Sequence, residues 1–462
     1  MYAGRMDLDL DEVFSVSLGL KYPVGSFISP SNSVLMSDAH PPLHYLLTAI
    51  WMKMFYYPLW KNFHLSRELI IRIPGAVFST AAVWSMAKTG EFILGRRFGL
   101  MAAIMAATAS FSVQIAHQAR MYPLMEMLAA VSLWISVTID QRVSIWHVIC
   151  LAVLSAMLML THYSASFFLL TLWGSLIFRF PNQTSRLIVG LAISLTLFAW
   201  WIPALIVQFA KEASAQSTDS STGAIMAFCV YQFFSGDRTI EWGSVRSAID
   251  HIPIILSTIV CFFLIGFAII KETKRNSGLL WISSLWTFPI LMNWIATFFV
   301  QRVFNASHYA ICALPAFILT IASAVWILSS YCWVKAVAAV TLFFLLNFAT
   351  FGLFIDREVR RPWTSVGAQL KEISPQVIYI YPVYMGLPLS FYAHDWPLKG
   401  LPQECSKEPI RIKDSAEVIV LIVSHDRGEG KCFVGEMEMA TGVVPEHRVE
   451  ESIDIYIYRS VR

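Results

Sequence analysis

Apolar runs long enough to cross a bilayer recur along most of this chain. They cover residues 70 to 90, 99 to 116, 122 to 139, 145 to 161, 163 to 179, 186 to 208, 252 to 270, 278 to 300, 309 to 328 and 333 to 355. An α-helix rises about 1.5 Å per residue, so about 20 apolar residues match a hydrocarbon core of about 30 Å. The pattern predicts about ten transmembrane helices. Their short connections fall into two sets. Residues 88 to 97, 140 to 144, 179 to 186, 271 to 275 and 329 to 335 hold ten Lys or Arg, whereas 117 to 122, 161 to 163 and 301 to 309 hold two. Basic connections stay in the cytoplasm. The first set is therefore expected inside; the amino-terminal segment, the connection 209 to 251 and the carboxyl-terminal tail are expected outside.

The period changes at both ends of the membrane region. Leu43, Leu46, Leu47, Ile50, Trp51 and Met54 recur at helical spacing after Pro41-Pro42, and proline suits a helix's first turn. A helix ending at Phe55 is too short to span, so it is expected to lie in the interface with Tyr45, Trp51, Tyr56 and Tyr57 at headgroup level. Beyond Asp356, residues Trp363 to Ile373 read as a helix, Val377 to Tyr381 and Val418 to Val423 as buried strands, and Ile453 to Tyr458 as an alternating strand. The expected class is an all-α polytopic membrane protein with a small C-terminal α/β extracytoplasmic domain. Its expected divisions are an outer loop 1 to 69 that includes the interfacial helix, a helical membrane domain 70 to 355 and a soluble extracytoplasmic domain 356 to 462. The polar stretch from Lys211 to Gly223 has little to bury and is expected to be a loop, either a lid or a plain connection.

Composition agrees with that division. Of 462 residues, 56% are hydrophobic and 14% charged, and 29 of the 65 charged residues lie beyond position 355. A net charge of +3, dispersed along the chain, gives no reason to expect nucleic acid. The seven cysteines have no zinc-ligand spacing. Cys405 and Cys432 both fall in the tail, where they form either a disulfide or two free thiols. His394, Asp395 and His425 lack triad or ligand spacing and receive no catalytic role.

Two marks near the amino terminus carry the candidate chemistry: Asp11-Glu12, and Asp38-Ala39-His40-Pro41-Pro42. Adjacent carboxylates supply a base or ligands for a divalent cation, and an acid with an imidazole can face a phosphate or complete a metal site. The plain alternative is a solvated acidic run from Asp7 to Glu12. Whether a metal is present stays open. The topology gathers further polar groups on the outer face: Arg67, Arg72, Arg120, Tyr122, His162, Tyr163, Arg302, His308 and Tyr309. Each line a cavity rim or act as interfacial anchors. Glu126, one turn into a span, either faces that cavity, pairs with Arg120 or reaches the interface, since an unpaired acid there is costly.

Asp11-Glu12-Val13-Phe14-Ser15-Val16 followed by Asp38-x-His40-Pro41-Pro42-Leu43-His44-Tyr45 resembles the first outer loop of the GT-C integral-membrane glycosyltransferases. The branch is that of the dolichyl-phosphate-mannose-protein mannosyltransferases and the bacterial aminoarabinose transferase. Arg72-Ile73-Pro74, Gly95-Arg96-Arg97-Phe98-Gly99 and Gln118-Ala119-Arg120-Met121-Tyr122 are similar to later motifs of the branch. The sequence departs at Gln118, where relatives have an acid, and at His308-Tyr309, where Arg-Tyr is usual. Relatives also have a transmembrane helix before the Asp-Glu pair; only ten residues precede Asp11 here, and a truncated start is expected.

The resemblance implies transfer of a sugar from a polyprenyl-phosphate donor to a glycan, lipid or protein acceptor at the outer face of the cell (inner) membrane, with inversion. Asp11 would be the base, assisted by Glu12. His40, Arg72 and Arg120 would hold the donor phosphate, and Asp38, Tyr122, His162, Tyr163 and His308 would line the cavity. A membrane transporter and a lipid-linked glycan ligase or polymerase are the alternatives.

Overall fold

The computed structural model describes residues 7–30, 34–38, 40–139, 143–214, 277–299, 307–337, 363–381, 385–392, 396–401, 418–424, 431–441, 443–450 and 453–459, with isolated positions 233, 259, 263, 266 and 341. The helices, in chain order, begin with α1 (Leu10–Lys21), α2 (Leu43–Trp51), α3 (Tyr57–Phe63), α4 (Arg67–Leu94), α5 (Arg96–Thr108) and α6 (Ser110–Ala116). They continue with α7 (Tyr122–Val137), α8 (Ile145–Met159), α9 (Ala165–Arg179), α10 (Thr184–Ala199), α11 (Ile202–Ser214), α12 (Ser277–Phe299) and α13 (Leu314–Tyr331). The tail adds α14 (Trp363–Ile373), α15 (Gly386–Tyr392) and α16 (Lys431–Thr441), with strands β1 (Val377–Tyr381), β2 (Leu398–Gly400), β3 (Val418–Ser424), β4 (Glu446–Glu450) and β5 (Ile453–Arg459).

Two compact units result. One comprises Met1–Lys21, Met52–Ile71 and Ile355–Arg462; the other comprises Tyr22–Trp51 and Arg72–Phe354.

The first unit is built on a five-stranded sheet of order β2-β1-β3-β5-β4. β1 runs parallel to β2 and β3, and β5 runs antiparallel to β3 and β4. Alternate residues of a strand face opposite sides. Ile378, Ile380, Val420, Ile422, Ile455 and Ile457 therefore share one core with Val366 and Leu370 of α14 and Leu389 of α15. Tyr379, Tyr381, Leu421 and Val423 share the other with Phe433 and Met437 of α16. Asp7 reaches into this unit: its carboxylate accepts from the Thr364 backbone N–H at 2.7 Å, and also from the Thr364 hydroxyl, capping the first turn of α14 from a distant segment. The Tyr392 hydroxyl accepts from Leu8 N–H at 2.8 Å and donates to Glu68 at 3.2 Å, joining all three segments of the unit. The candidates His394, Asp395, His425 and Cys405, and the side chain of Cys432, lie outside the described residues.

The second unit is a helical body around one hydrophobic core that includes Phe98, Met125, Leu128, Leu172, Trp173 and Phe317. Among the described residues two helices, Arg67–Leu94 and Ala310–Ser329, are long and apolar enough to cross a membrane. Counting each bent pair as a single span gives four: Arg96–Thr108 with Ser110–Ala116, bent by 60°, and Pro181–Ala199 with Ile202–Ala210, bent by 68°. The first bend falls at Ala109, which is extended and interrupts the helical hydrogen bonds. Helices Tyr122–Val137, Ile145–Met159, Ala165–Arg179 and Leu280–Ala296 are apolar but shorter. The runs 252 to 270 and 333 to 355 and the connection 209 to 251 lie, apart from a few residues, outside the described residues.

Two local expectations are corrected. Asp11-Glu12 does not sit in a loop but in the first turn of α1, because Asp9 and Glu12 form a reciprocal cap: Glu12 N–H donates to Asp9 Oδ1 at 2.8 Å and Asp9 N–H to Glu12 Oε2 at 3.0 Å. The helix after Pro41-Pro42 starts at Leu43 as the pattern requires, but from Met52 to Tyr56 it loosens into a π-turn before α3.

Gly95-Arg96-Arg97-Phe98-Gly99 has a packing explanation. Gly95 takes φ +89°, a backbone region open to glycine, and thereby separates α4 from α5. At Gly99 an added Cβ would lie 2.6 Å from the Ala87 carbonyl oxygen and 2.8 Å from the Glu91 nitrogen. Only glycine lets α5 approach the α4 backbone this closely. Gly99→Ala should cost about 1 to 3 kcal/mol and lower the unfolding midpoint of the detergent-purified protein; an unchanged midpoint would refute this packing account.

Candidate functional site

The second unit brings together three segments that are far apart in sequence. The first runs from the short 3-10 helix Val34–Ser37 through Pro42 to the start of α2. Asp38 accepts a hydrogen bond at 3.1 Å from His40 Nδ1 through one carboxylate oxygen and one from the Tyr45 hydroxyl through the other. A carboxylate held on both oxygens fixes the imidazole's tautomer and orientation. The second segment is the turn between α6 and α7. Ala119 hydrogen-bonds through its backbone with His44, and the charge of Arg120 acts on Asp38, His44 and His162. The third is the turn between α8 and α9, where the His162 ring lies 5.3 Å from the His40 ring, centroid to centroid. His162 Nδ1 is 2.8 Å from Ser164 Oγ and accepts from Ser164 N–H at 3.2 Å.

Backbone and amide contacts fasten these segments. Leu43 N–H donates to the Leu160 carbonyl at 2.9 Å. From α11, the buried amide of Gln208 donates to the carbonyls of Leu35 at 2.9 Å and His40 at 3.2 Å, and accepts from the Tyr163 hydroxyl. Trp201 Nε1 donates to that same hydroxyl at 2.9 Å. Gly75, one turn after Arg72, permits a close approach: a Cβ would stand a tight 3.0 Å and 3.1 Å from the carbonyl oxygens of Ala116 and Gln118. The α4 turn after the buried Arg72 thus packs on the segment that carries Arg120. Ser112 Oγ, before that segment, donates to Glu126 Oε1, after it, at 2.7 Å. Glu126 is buried within the body, which replaces the interfacial expectation.

Burial and charge set the protonation states. Burial alone would raise the Asp38 carboxyl; the hydrogen bond and charge of His40, the Tyr45 hydroxyl and the Arg120 charge together outweigh it and hold it below the ordinary 3.8. Burial first, then the charges of Arg120 and His40, lowers His44 from 6.5 to about 3. The same causes hold His162 well below 6.5. Two buried imidazoles, held neutral, therefore lie within the field of the Arg120 charge.

The other candidates fall as follows. Asp11 is exposed on α1 in the first unit, where its backbone carbonyl accepts from Ser15 Oγ at 3.0 Å. Glu12 is 2% exposed, with its carboxylate engaged in the α1 cap. Tyr122 joins the hydrophobic core at the first residue of α7. The His308 backbone is in a short 3-10 helix, Ser307–Ala313, and its side chain lies outside the described residues. Among the described residues no group of three or more His, Cys, Asp or Glu is placed to hold a metal ion, so the cation alternative has no ligand set there. Sequence reasoning missed Gln208, Trp201 and His44. The available signal was a single amide in the apolar run Ile202 to Ala210, which burial would penalise unless it were bonded.

This architecture extends over the length of a solved membrane protein. ArnT from Cupriavidus metallidurans, in its apo state, is similar with a TM-score of 0.59 at 14% identity, over 99% of this chain and 95% of that one. The chain has the GT-C fold. The same ArnT bound to undecaprenyl phosphate is similar with a TM-score of 0.56 at 12% identity, over the same shares of 99% and 95%. The Archaeoglobus fulgidus oligosaccharyltransferase, in a complex with Zn and sulfate, is a further GT-C neighbour, with a TM-score of 0.50 at 12% identity over 96% of this chain and 66% of that one. No family model and no curated protein sequence matches the chain.

The histidine shifts predict a pH dependence. Between about 6.5 and 3 the unfolded chain takes up a proton that the buried His44 excludes. Stability is therefore lost as pH falls through that window, by at most about 1.4 kcal/mol per pH unit for one imidazole, and His162 adds in the same direction. Asp38, with its carboxyl lowered, stabilises above 3.8 and contributes a loss only as pH falls further. The unfolding midpoint should drop from about pH 7.5 to about pH 5.5, and His44→Gln should reduce that slope. An equal slope in the variant would contradict the assignment.

Proposed function

We propose that this chain is a glycosyltransferase that moves a sugar from a polyprenyl-phosphate donor to an acceptor at the outer face of the membrane. The observation that carries the reading is the convergence of His40, His162 and the Arg120 charge from three separate segments of a GT-C body. A guanidinium with imidazole N–H groups in a low-dielectric setting suits a phosphate monoester leaving group, whose negative charge grows as the bond to sugar C1 breaks. Undecaprenyl phosphate is bound by the ArnT neighbour, which supports a carrier of this chemistry.

In this mechanism an acceptor hydroxyl attacks C1 from the side opposite the phosphate. The C1–acceptor oxygen bond forms as the C1–phosphate oxygen bond breaks, the electron pair leaves on the phosphate, and the configuration at C1 inverts. Asp11 takes the hydroxyl proton, a role drawn from the resemblance of its motif, and must come within about 2.6 to 3.2 Å of it. Arg120, Arg72 and His40 hold the leaving phosphate, and Asp38 with Tyr45 orients His40. Glu12, through the α1 cap, positions Asp11 rather than reacting. The likeness to an oligosaccharyltransferase favours one second reading, transfer of a preassembled glycan, which differs in donor and not in leaving group.

Membranes containing the protein or Asp11→Asn, given radiolabelled polyprenyl-phosphate sugars and a cell-envelope extract, test both parts. Label should move to an acceptor with the unchanged protein, and Asp11→Asn should lower the rate by about 100-fold or more while remaining membrane-inserted. Full activity in the variant would remove Asp11 as the base. Transfer from oligosaccharide donors alone would select the second reading.

A further inference from the structure

A cavity of about 840 Å³ lies away from the histidine cluster, and the proposed transfer makes no use of it. Phe92 and Ile93 from the last turn of α4, Val137 from the end of α7, Leu170 to Arg179 on α9 and Gly278 to Met292 on α12 supply its walls. Arg120 stands just before α7 and Val137 ends it, so the rise of the helix alone separates the two by about 25 Å. The cavity therefore opens at the end of the body where the basic connections lie, with Arg96 and Arg97 exposed just beyond α4. Its size is that of a small-molecule site.

Its chemistry is amphiphilic. Phe178, Leu170 and Phe288 are 90%, 59% and 49% exposed, an arrangement suited to hydrocarbon rather than water. Among the described residues the charged one in the lining is Arg179, at the last position of α9. Its guanidinium lies 5.2 Å from the Phe180 ring centroid and 5.5 Å from that of Trp281, and Trp281 is itself fixed by donating to Ser175 Oγ at 2.9 Å. A guanidinium beside aromatic rings at a cavity wall keeps its full charge and its planar fork of donors, which match a phosphate. Gly174 opens the wall between them: a Cβ there would meet nothing within 4 Å.

We propose that this cavity binds one anionic phospholipid of the cytoplasmic leaflet, with an acyl chain against Leu170, Gly174 and Phe288 and the phosphate at Arg179. Charge complementarity favours this occupant, because basic pockets between membrane helices on the cytoplasmic side attract anionic headgroups. The site is separate from the transfer chemistry, so its test does not depend on activity.

The protein, Gly174→Leu and Arg179→Gln are each reconstituted with phosphatidylcholine and phosphatidylglycerol vesicles, extracted in mild detergent and examined for retained lipid by native mass spectrometry. The unchanged protein should retain one phosphatidylglycerol. Gly174→Leu, which projects a side chain into the acyl-chain path, should retain markedly less while keeping its helical circular dichroism. Arg179→Gln should keep a lipid but lose about ten-fold of its preference for phosphatidylglycerol over phosphatidylcholine, as expected from one lost contact to a charged group. Equal phosphatidylglycerol retention by a folded Gly174→Leu would overturn the proposal. So would an unchanged preference in Arg179→Gln, which decides the matter alone if Gly174→Leu loses helix, or a polyprenyl species retained in place of phospholipid.

Discussion

A turning stretch of backbone packed into an apolar helical body must have its buried polar groups bonded within the protein. The residues described between Leu35 and Leu43 meet that demand through a few named partners. Gln208 takes the carbonyls of Leu35 and His40, Leu160 takes the N–H of Leu43, and Asp38 turns inward to His40 and Tyr45. Gln208 is in turn fixed by Tyr163, and Tyr163 by Trp201. The position of His40 therefore depends on a chain of buried hydrogen bonds that reaches α11. Each link is worth little in net stability, yet breaking one leaves a buried group unsatisfied, which costs about 1 to 3 kcal/mol.

That constraint explains why the candidate site is made of turns rather than helix faces. Arg120, His162 and His40 all occupy connections between helices, where backbone direction changes and side chains from separate helices converge. The helices act as spacers: Gly75 lets α4 press on the Arg120 segment, and the Ser112–Glu126 bond closes α6 against α7 around it. A membrane body is also the natural container for such a site if the substrate carries a long hydrocarbon chain, since the chain then stays in lipid while its phosphate meets charge at the boundary.

The sequence made some of this legible and not the rest, for physical reasons. Helical periods and bilayer-length runs marked α4, α7, α8, α9 and α12 within a few residues, and the strands Val377–Tyr381 and Ile453–Arg459 showed their own patterns of burial. The break at Ala109 was invisible, because an alanine in an apolar run carries no signal for an extended backbone. Asp11-Glu12 was read as loop because its cap involves Asp9, a third acid that looked like part of a solvated run. Asp38 and His40 stood out together as one sequence mark facing a phosphate or a metal, but the hydrogen bond between them, which orients His40, appears only in the fold. The neighbours His162 and Arg120 were individually visible but not their meeting, which is tertiary. Gln208 lay in plain view as a lone amide among apolar residues, but only the fold reveals which carbonyls it serves.

The central claim is that Arg120 and His40 form the phosphate site of a polyprenyl carrier, and direct binding tests it without requiring the sugar or acceptor. Undecaprenyl phosphate would be titrated into the protein in nanodiscs, alongside Arg120→Gln and His40→Gln. The account predicts that Arg120→Gln raises Kd about ten-fold or more, with a smaller rise for His40→Gln, as expected from the loss of a charged and a neutral contact. Equal affinity in all three proteins would contradict it.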